Sequence, residues 1–239
     1  MGDGVRYFTF PVEILRGAFL PKVAGNMTGI YRACNDAVNY AVFIRCKDYD
    51  ETPEEAFGFF GIRGDAGATF ERGQQLFNSF GTSALVSVNR NTLFDFMGSP
   101  KTDFEIAVFC AFCGLRSIIG TKPYAKSNNG LLMARMFGYT TAKEFEVLDN
   151  KPTYFSLYFS TKQKVRYQLT EKIIKGELSL YWGLKYYSSQ FKGFYVSFTM
   201  EFEALVLHAE RIRKSTILKQ QKEEQRRVVE RVKKQVMGK

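Results

Sequence analysis

The segment from Ser160 to Trp182, together with the residues after it, constrains the fold most strongly. Apolar or small residues recur along it at spacings of three and four: Val165, Leu169, Ile173, Gly176 and Leu180. Because residues at this spacing share one side of an α-helix, the pattern predicts an amphipathic helix that packs this side on a core. Charged and polar residues fill its first turns, and we expect those turns to face solvent.

Two β-rich runs follow Gly183, where the helix is expected to end. The first covers Leu184 to Tyr187 and the second Phe194 to Phe198. A polar segment separates them, and Gly193 near its end tolerates a positive φ. The sequence therefore predicts a β-hairpin directly after the helix.

Ahead of Ser160, the chain predicts two further helices. Thr102 or Asp103 caps the first, which runs to about Ile119 and is apolar nearly all round, so we expect it to be buried. Residues 122–126 are basic and extended. Asn128 then caps a second helix, and Gly138 is placed to end it.

This order of elements resembles the winged-helix variant of the helix-turn-helix fold. The resemblance covers roughly residues 102–198 and lies in the order of elements, not in a motif of fixed residues. One departure is the segment 139–159, which is far longer than the usual tight turn before the recognition helix. The resemblance implies that the helix from Ser160 enters the DNA major groove by its N-terminal residues.

The same resemblance implies a set of nucleic-acid contacts: Lys122, Lys126, Lys162, Gln163, Lys164, Arg166, Tyr167, Lys185 and Lys192. Lys162 and Arg166 suit guanine O6 and N7, and Gln163 suits adenine. Lys185 and Lys192 on the hairpin are expected to contact the DNA backbone or the minor groove, and Lys122 and Lys126 to contact phosphates. The alternative is an ordinary solvated face, in which Tyr167 serves packing instead of base stacking.

Charge is unevenly distributed along the chain. Residues 1–100 hold nine Lys and Arg against eleven Asp and Glu, a net −2, and residues 101–208 hold fourteen against nine, a net +5. Residues 209–239 hold eleven against four, a net +7. The segment from Glu210 predicts a long charged helix, and Arg226 and Arg227 are its candidate phosphate contacts. A basic half joined to a slightly acidic half favours a polyanionic partner.

The first hundred residues predict helices separated by turns, with one strand over Ala84 to Val88. Gly98 to Pro100 is the best candidate boundary. We therefore predict a mainly α (α+β) fold in three parts. They are a helical N-terminal region (1–100), a winged-helix-like domain (101–200) and a basic C-terminal helix (201–239).

No catalytic constellation is evident, and we expect neither an enzyme nor a cofactor. His208 is the single histidine, which excludes two-histidine metal motifs. Cys110 and Cys113 have metal-ligand spacing, but their apolar neighbours favour buried thiols over zinc. Residues 1–16 lack the features of a secretory signal, and the apolar run 106–115 is about half of a membrane span, so we expect a cytoplasmic protein with reduced thiols.

Three functions remain open at this point. The first is a sequence-specific DNA-binding protein, either a transcriptional regulator or a replication initiator of a plasmid or phage. The second is a non-catalytic interaction protein of a phage or mobile element that docks on a nucleoprotein or protein partner. The third is an RNA-binding accessory protein. Duplex DNA is favoured over RNA as the ligand, and both a homodimer and a protein partner are compatible with the sequence.

Overall fold

The computed structural model describes residues 6–20, 28–149, 151–188 and 193–237, with side chains described to Arg231. The structure is mainly helical, with 67% helix and 9% strand, which confirms the mainly α prediction. The first helices are α1 Gly29–Tyr49, α2 Pro53–Phe60, α3 Ala66–Phe80, α4 Arg90–Met97, α5 Asp103–Ile119 and α6 Asn129–Met136. After them come α7 Ala142–Glu146, α8 Thr153–Tyr158, α9 Lys162–Arg166, α10 Ser179–Tyr181 and α11 Phe202–Met237. The strands are β1 Tyr7–Pro11, β2 Leu85–Asn89, β3 Ala125–Ser127, β4 Lys185–Tyr187 and β5 Phe194–Ser197.

Local capping sets several helix ends where the sequence predicts them. Thr52 and Thr102 each form a capping box with the Glu three residues later, at the starts of α2 and α5. The side chain of Asn128 accepts a hydrogen bond from the Leu131 amide at the start of α6. Gly138, with φ of 77°, follows the end of α6.

The N-terminal region contains a strand that the sequence pattern did not predict. β1 pairs antiparallel with β2, with Phe8 opposite Val88 and Phe10 opposite Val86. All four side chains are buried, because alternate residues of a strand share one face. A short 3₁₀ helix, Val12–Gly17, continues from β1.

One hydrophobic core contains buried residues from both sides of residues 98–100. β2 packs on α5, and α1 packs on α3 where Gly73 allows close approach. A Cβ atom on Gly73 would lie 2.2 Å from the Asn39 carbonyl oxygen, so a larger residue would push the two helices apart. The division of the chain at residue 100 stays a prediction.

The predicted hairpin forms a three-stranded sheet with the strand that precedes α6. The strand order is β3-β5-β4 and both pairings are antiparallel. Gly193, at the start of the second hairpin strand, has φ of 104°, as its place near the turn predicts. Phe194 and Val196 join the main core from one face of the sheet. Tyr195 points to the opposite face, where it packs with Leu205 and Ala209 of α11.

The helix predicted from Ser160 is present, but part of it has a different helical period. α9 continues directly into a π-helix, Tyr167–Leu178, and then into α10. Leu169 and Ile173 are buried as predicted, whereas Leu180 is exposed and Leu178 is buried in its place. The prediction for Leu180 is wrong because a π-helix holds more residues per turn than the α-helical period assumed.

The long segment between α6 and α9 folds onto the core through aromatic contacts. It contains α7 and α8, which the sequence left unassigned. The Phe145 ring lies 5.2 Å from the Phe137 ring and 5.5 Å from the Phe155 ring, measured between centroids. Tyr154 stacks on Phe19 at 4.6 Å. This segment is therefore packed beside α6 and is not an open loop.

Candidate nucleic-acid interface

The first turn of α9 presents charged and polar side chains to solvent. Thr161 is its N-cap, and its hydroxyl accepts a hydrogen bond from the Lys164 amide at 3.2 Å. Lys162, Gln163 and Arg166 are exposed. The structure thus places the predicted base-reading residues together on one accessible surface.

Lys164 and Tyr167, from the same predicted set, have partners within the protein. The Lys164 ammonium donates a hydrogen bond to the Leu157 carbonyl oxygen of α8. Tyr167 is 52% exposed, and the Lys172 ammonium lies 5.6 Å from its ring centroid. Lys164 is therefore already committed to tying α9 to α8, whereas the Tyr167 ring remains largely accessible.

Apolar side chains behind this surface attach the helix to the core. Leu169, Ile173, Ile174 and Leu178 are buried, and the π-helix packs against α5. Each fully buried side chain of this kind contributes about 1.5–3 kcal/mol. Trp182, just past the end of α10, packs on Phe112 of α5 with ring centroids 4.8 Å apart. The exposed cations consequently project from a rigid support.

The lysines of the sheet lie on the face that α11 partly covers. In the strand register Lys126 is opposite Tyr195 and Lys185 is opposite Ser197, so both lysines share the face of Tyr195. The Tyr187 hydroxyl on this face donates a hydrogen bond to Glu210 of α11 at 2.6 Å. That bond raises the pKa of Tyr187 and lowers the pKa of Glu210.

As a result, Lys185 is half-buried and Lys126 is exposed, with its ammonium 5.7 Å from the Tyr195 ring. Lys192 lies outside the described residues. The hairpin therefore has a structural role that the sequence did not predict: it carries the base of α11.

Lys122 and Lys126 line a cleft together with a third cation, Arg135. The cleft, of about 510 Å³, lies between the C-terminal end of α5, β3 and α6, and Ser117 and Tyr124 also line it. Sequence analysis did not select Arg135. A lone arginine within the apolar run 131–137 was the signal that could have identified it, since a charge there needs either a partner or a ligand.

Arg226 and Arg227 lie far along α11 from the other candidates. Leu205, Ala209 and Ile212 pack on the body of the protein, whereas every residue from Leu218 to Arg231 is exposed. At 1.5 Å per residue, Arg226 lies about 21 Å beyond Ile212 along the helix axis. These arginines therefore lie on the exposed part of α11, well beyond the residues that anchor it.

Another cleft, of about 770 Å³, is aromatic and acidic in character. It lies between α4, α5 and the end of α10, and its lining includes Phe104, Phe112 and Trp182. Asp95, Glu105 and Glu177 also line it, with Lys101 as the one basic residue. Leu180 and Tyr181 near its edge are 68% and 76% exposed. This cleft does not suit a polyanion.

The four cysteines are buried free thiols. Burial raises the pKa of Cys34 to about 12 and holds those of Cys110 and Cys113 well above the usual value, so these groups stay protonated and unreactive. Within the described residues, no three His, Cys, Asp or Glu side chains are arranged to hold a metal ion.

Two acidic residues at the C-terminal end of α1 and just after it also have partners. Glu51 accepts hydrogen bonds from Arg45, and Asp48 forms an ion pair with Lys47 at 3.7 Å. His208 packs on Tyr124 with ring centroids 4.3 Å apart.

No protein-family model, curated protein or solved structure matches this chain. Among the described helices, none combines the length and the apolar character needed to cross a bilayer.

Proposed function

We propose that this protein binds duplex DNA through the exposed first turns of α9. The observation that carries the proposal is the two-sided character of the helix 162–181. Lys162, Gln163 and Arg166 face solvent, and Leu169 and Ile173 on the other side fix the helix to the core. A helix held in this way suits insertion into a major groove.

The surrounding topology supports a winged-helix assignment. α5, β3, α6, the helix 162–181 and the β4–β5 hairpin follow each other in the order that the resemblance implies, and β3 completes the hairpin sheet. The insertion that holds α7 and α8 sits between α6 and α9. We assign the protein to the cytoplasm, where its buried thiols remain reduced, as a regulator or a replication initiator.

Charge reversal on α9 tests the proposal directly. Lys162→Glu and Arg166→Glu should each lower the affinity for duplex DNA by tenfold or more at low salt, because each replaces a cation at the groove by an anion. Lys143→Glu, an exposed reversal on α7, is the matched control and should change affinity much less. Lys164 is avoided because of its bond to Leu157. Equal affinities for all three variants and the wild type, measured by fluorescence anisotropy, would reject the proposal.

Selection from a random duplex pool separates the two DNA-binding roles. A short palindromic motif favours a regulator, and an iterated motif favours an initiator. If single-stranded RNA binds more tightly than duplex DNA across a salt series, the protein is an RNA-binding accessory factor instead.

A second candidate function is docking on a protein partner. It is favoured by the exposed Leu180 and Tyr181 beside the aromatic, acidic cleft, since exposed apolar side chains clustered at a cleft are typical of interaction sites. Failure of the wild type to bind any nucleic acid at low salt would select this function over the first.

A further inference from the structure

The cleft between α5, β3 and α6 contains three cationic residues and no acidic one among the residues that line it. Lys122 and Lys126 are exposed at its edge, and Arg135 lines it from the last turn of α6. Three cationic side chains around one cavity give it a positive potential, so the cavity is suited to a negatively charged ligand.

Arg135 is the residue that distinguishes this cleft from an ordinary basic surface. Its Nε and Nη1 atoms are buried and have no hydrogen-bond partner within the described part of the chain. Burial lowers the pKa of its guanidinium. The negative charges of Glu13 and Glu144 act in the opposite direction and raise this pKa by electrostatic attraction. Two buried guanidinium nitrogens without hydrogen-bond partners cost free energy unless a ligand supplies acceptor atoms.

The size of the cleft indicates a ligand larger than a simple ion. Its volume of about 510 Å³ lies within the range of small-molecule sites, roughly 300–1,000 Å³. Tyr124 in the lining offers an aromatic ring, and Ser117 offers a hydroxyl. Lysine and arginine together with such groups are the usual recognition set for phosphate attached to an organic moiety.

We infer that this cleft binds the phosphate of a nucleotide, with Arg135 as the central donor and Lys122 and Lys126 at the edge. The nucleotide is either free or part of a nucleic-acid strand. Lys122 and Lys126 also belong to the contacts that the winged-helix resemblance implies, whereas Arg135 does not, and the cleft lies between α5, β3 and α6 and not on α9.

Calorimetric titration at low salt tests the inference with two probes: ATP, and a short single-stranded oligonucleotide without terminal phosphates. The wild type should bind at least one of them. If the protein binds ATP but not the oligonucleotide, the ligand of the cleft is a free nucleotide. If the protein binds the oligonucleotide, the ligand is a phosphate of a nucleic-acid strand. Absence of binding by both probes overturns the inference.

Substitutions then locate the bound probe. Arg135→Met keeps the length of the side chain and removes the charge, and it should weaken binding by tenfold or more, as loss of a charge-assisted hydrogen bond predicts. Lys122→Gln and Lys126→Gln are exposed changes that leave the fold intact and should each weaken binding by a smaller factor. Lys143→Gln is the matched control. If all three cleft variants bind the probe as tightly as the wild type, the inference is overturned.

Thermal unfolding distinguishes a ligand-binding arginine from a structural one. Without ligand, Arg135→Met should have a lower Tm than the wild type, because the buried Glu13 loses a positive charge that interacts with it. Addition of the probe should raise the Tm of the wild type more than that of the variant. The α9 variant Arg166→Glu should bind the probe normally, so that failure of the cleft and failure of duplex binding are separable.

Discussion

Two basic helical segments of this protein differ in what lies behind their charges. The helix 162–181 has a buried side formed by Leu169, Ile173, Ile174 and Leu178, and its cations stand on the opposite side. α11 is anchored only through its first turns, and from Leu218 to Arg231 it is exposed on all sides. The proposed function therefore gives similar charge two different roles. Under that proposal, cations on the packed helix serve specific recognition, whereas cations on the projecting helix contribute mainly long-range attraction.

The comparison depends first on the packing behind α9. Leu169→Ala should lower the free energy of unfolding by about 2–5 kcal/mol, because it opens a cavity at a fully buried position. The matched substitution Leu218→Ala, at a residue that is 57% exposed, should change stability by less than about 0.5 kcal/mol. Urea denaturation measures the free energy of unfolding of both variants. If the two substitutions lower it equally, the two helices do not differ in how they are packed.

The affinity for duplex DNA gives a second test of the difference between the two helices. Lys162→Gln with Arg166→Gln, and Arg226→Gln with Arg227→Gln, each remove two cations, so each pair should reduce the salt slope of binding by up to about 2. Only the α9 pair should also relax the preference among DNA sequences, since fixed side chains read base edges. Binding to specific and scrambled duplexes over a salt series separates the outcomes. A loss of preference in the α11 pair would contradict the assignment.

The start of α9 offers a smaller test. Thr161→Ala removes the hydroxyl that accepts a hydrogen bond from the Lys164 amide. The substitution should destabilise the protein by about 1 kcal/mol. Ser160→Ala, one residue earlier, is the control and should have little effect. Chemical denaturation detects the difference. An unchanged midpoint for Thr161→Ala would mean that packing alone holds this end of the helix.

Truncation of α11 should have the smallest effect on the body of the protein. A chain that ends at residue 217 should unfold within about 0.5 kcal/mol of the full chain, since residues 218–231, the described side chains that it loses, are exposed. Circular dichroism during heating gives the comparison. A clear loss of stability in the truncated chain would show that the projecting segment packs on another copy of the protein, and measurement of the oligomeric state would then identify it.

The sequence alone determined the features that depend on neighbouring residues. The caps at Thr52, Thr102 and Asn128, the end of α6 near Gly138 and the positive φ of Gly193 were predictable because a cap or turn is decided within three or four positions. The amphipathic character of the helix after Thr161 was predictable for the same reason, and so was the accessible surface of Lys162, Gln163 and Arg166.

Only the tertiary structure decided the remaining features. β1 acquires its strand identity from β2, whose paired residue Ser87 lies 78 positions from Thr9, and no local pattern reveals such a partner. The π-helical register buries Leu178 instead of Leu180 because packing against α5 selects the period. The cleft at Arg135 exists because separate elements converge there, and desolvation of a charge depends on everything that surrounds it.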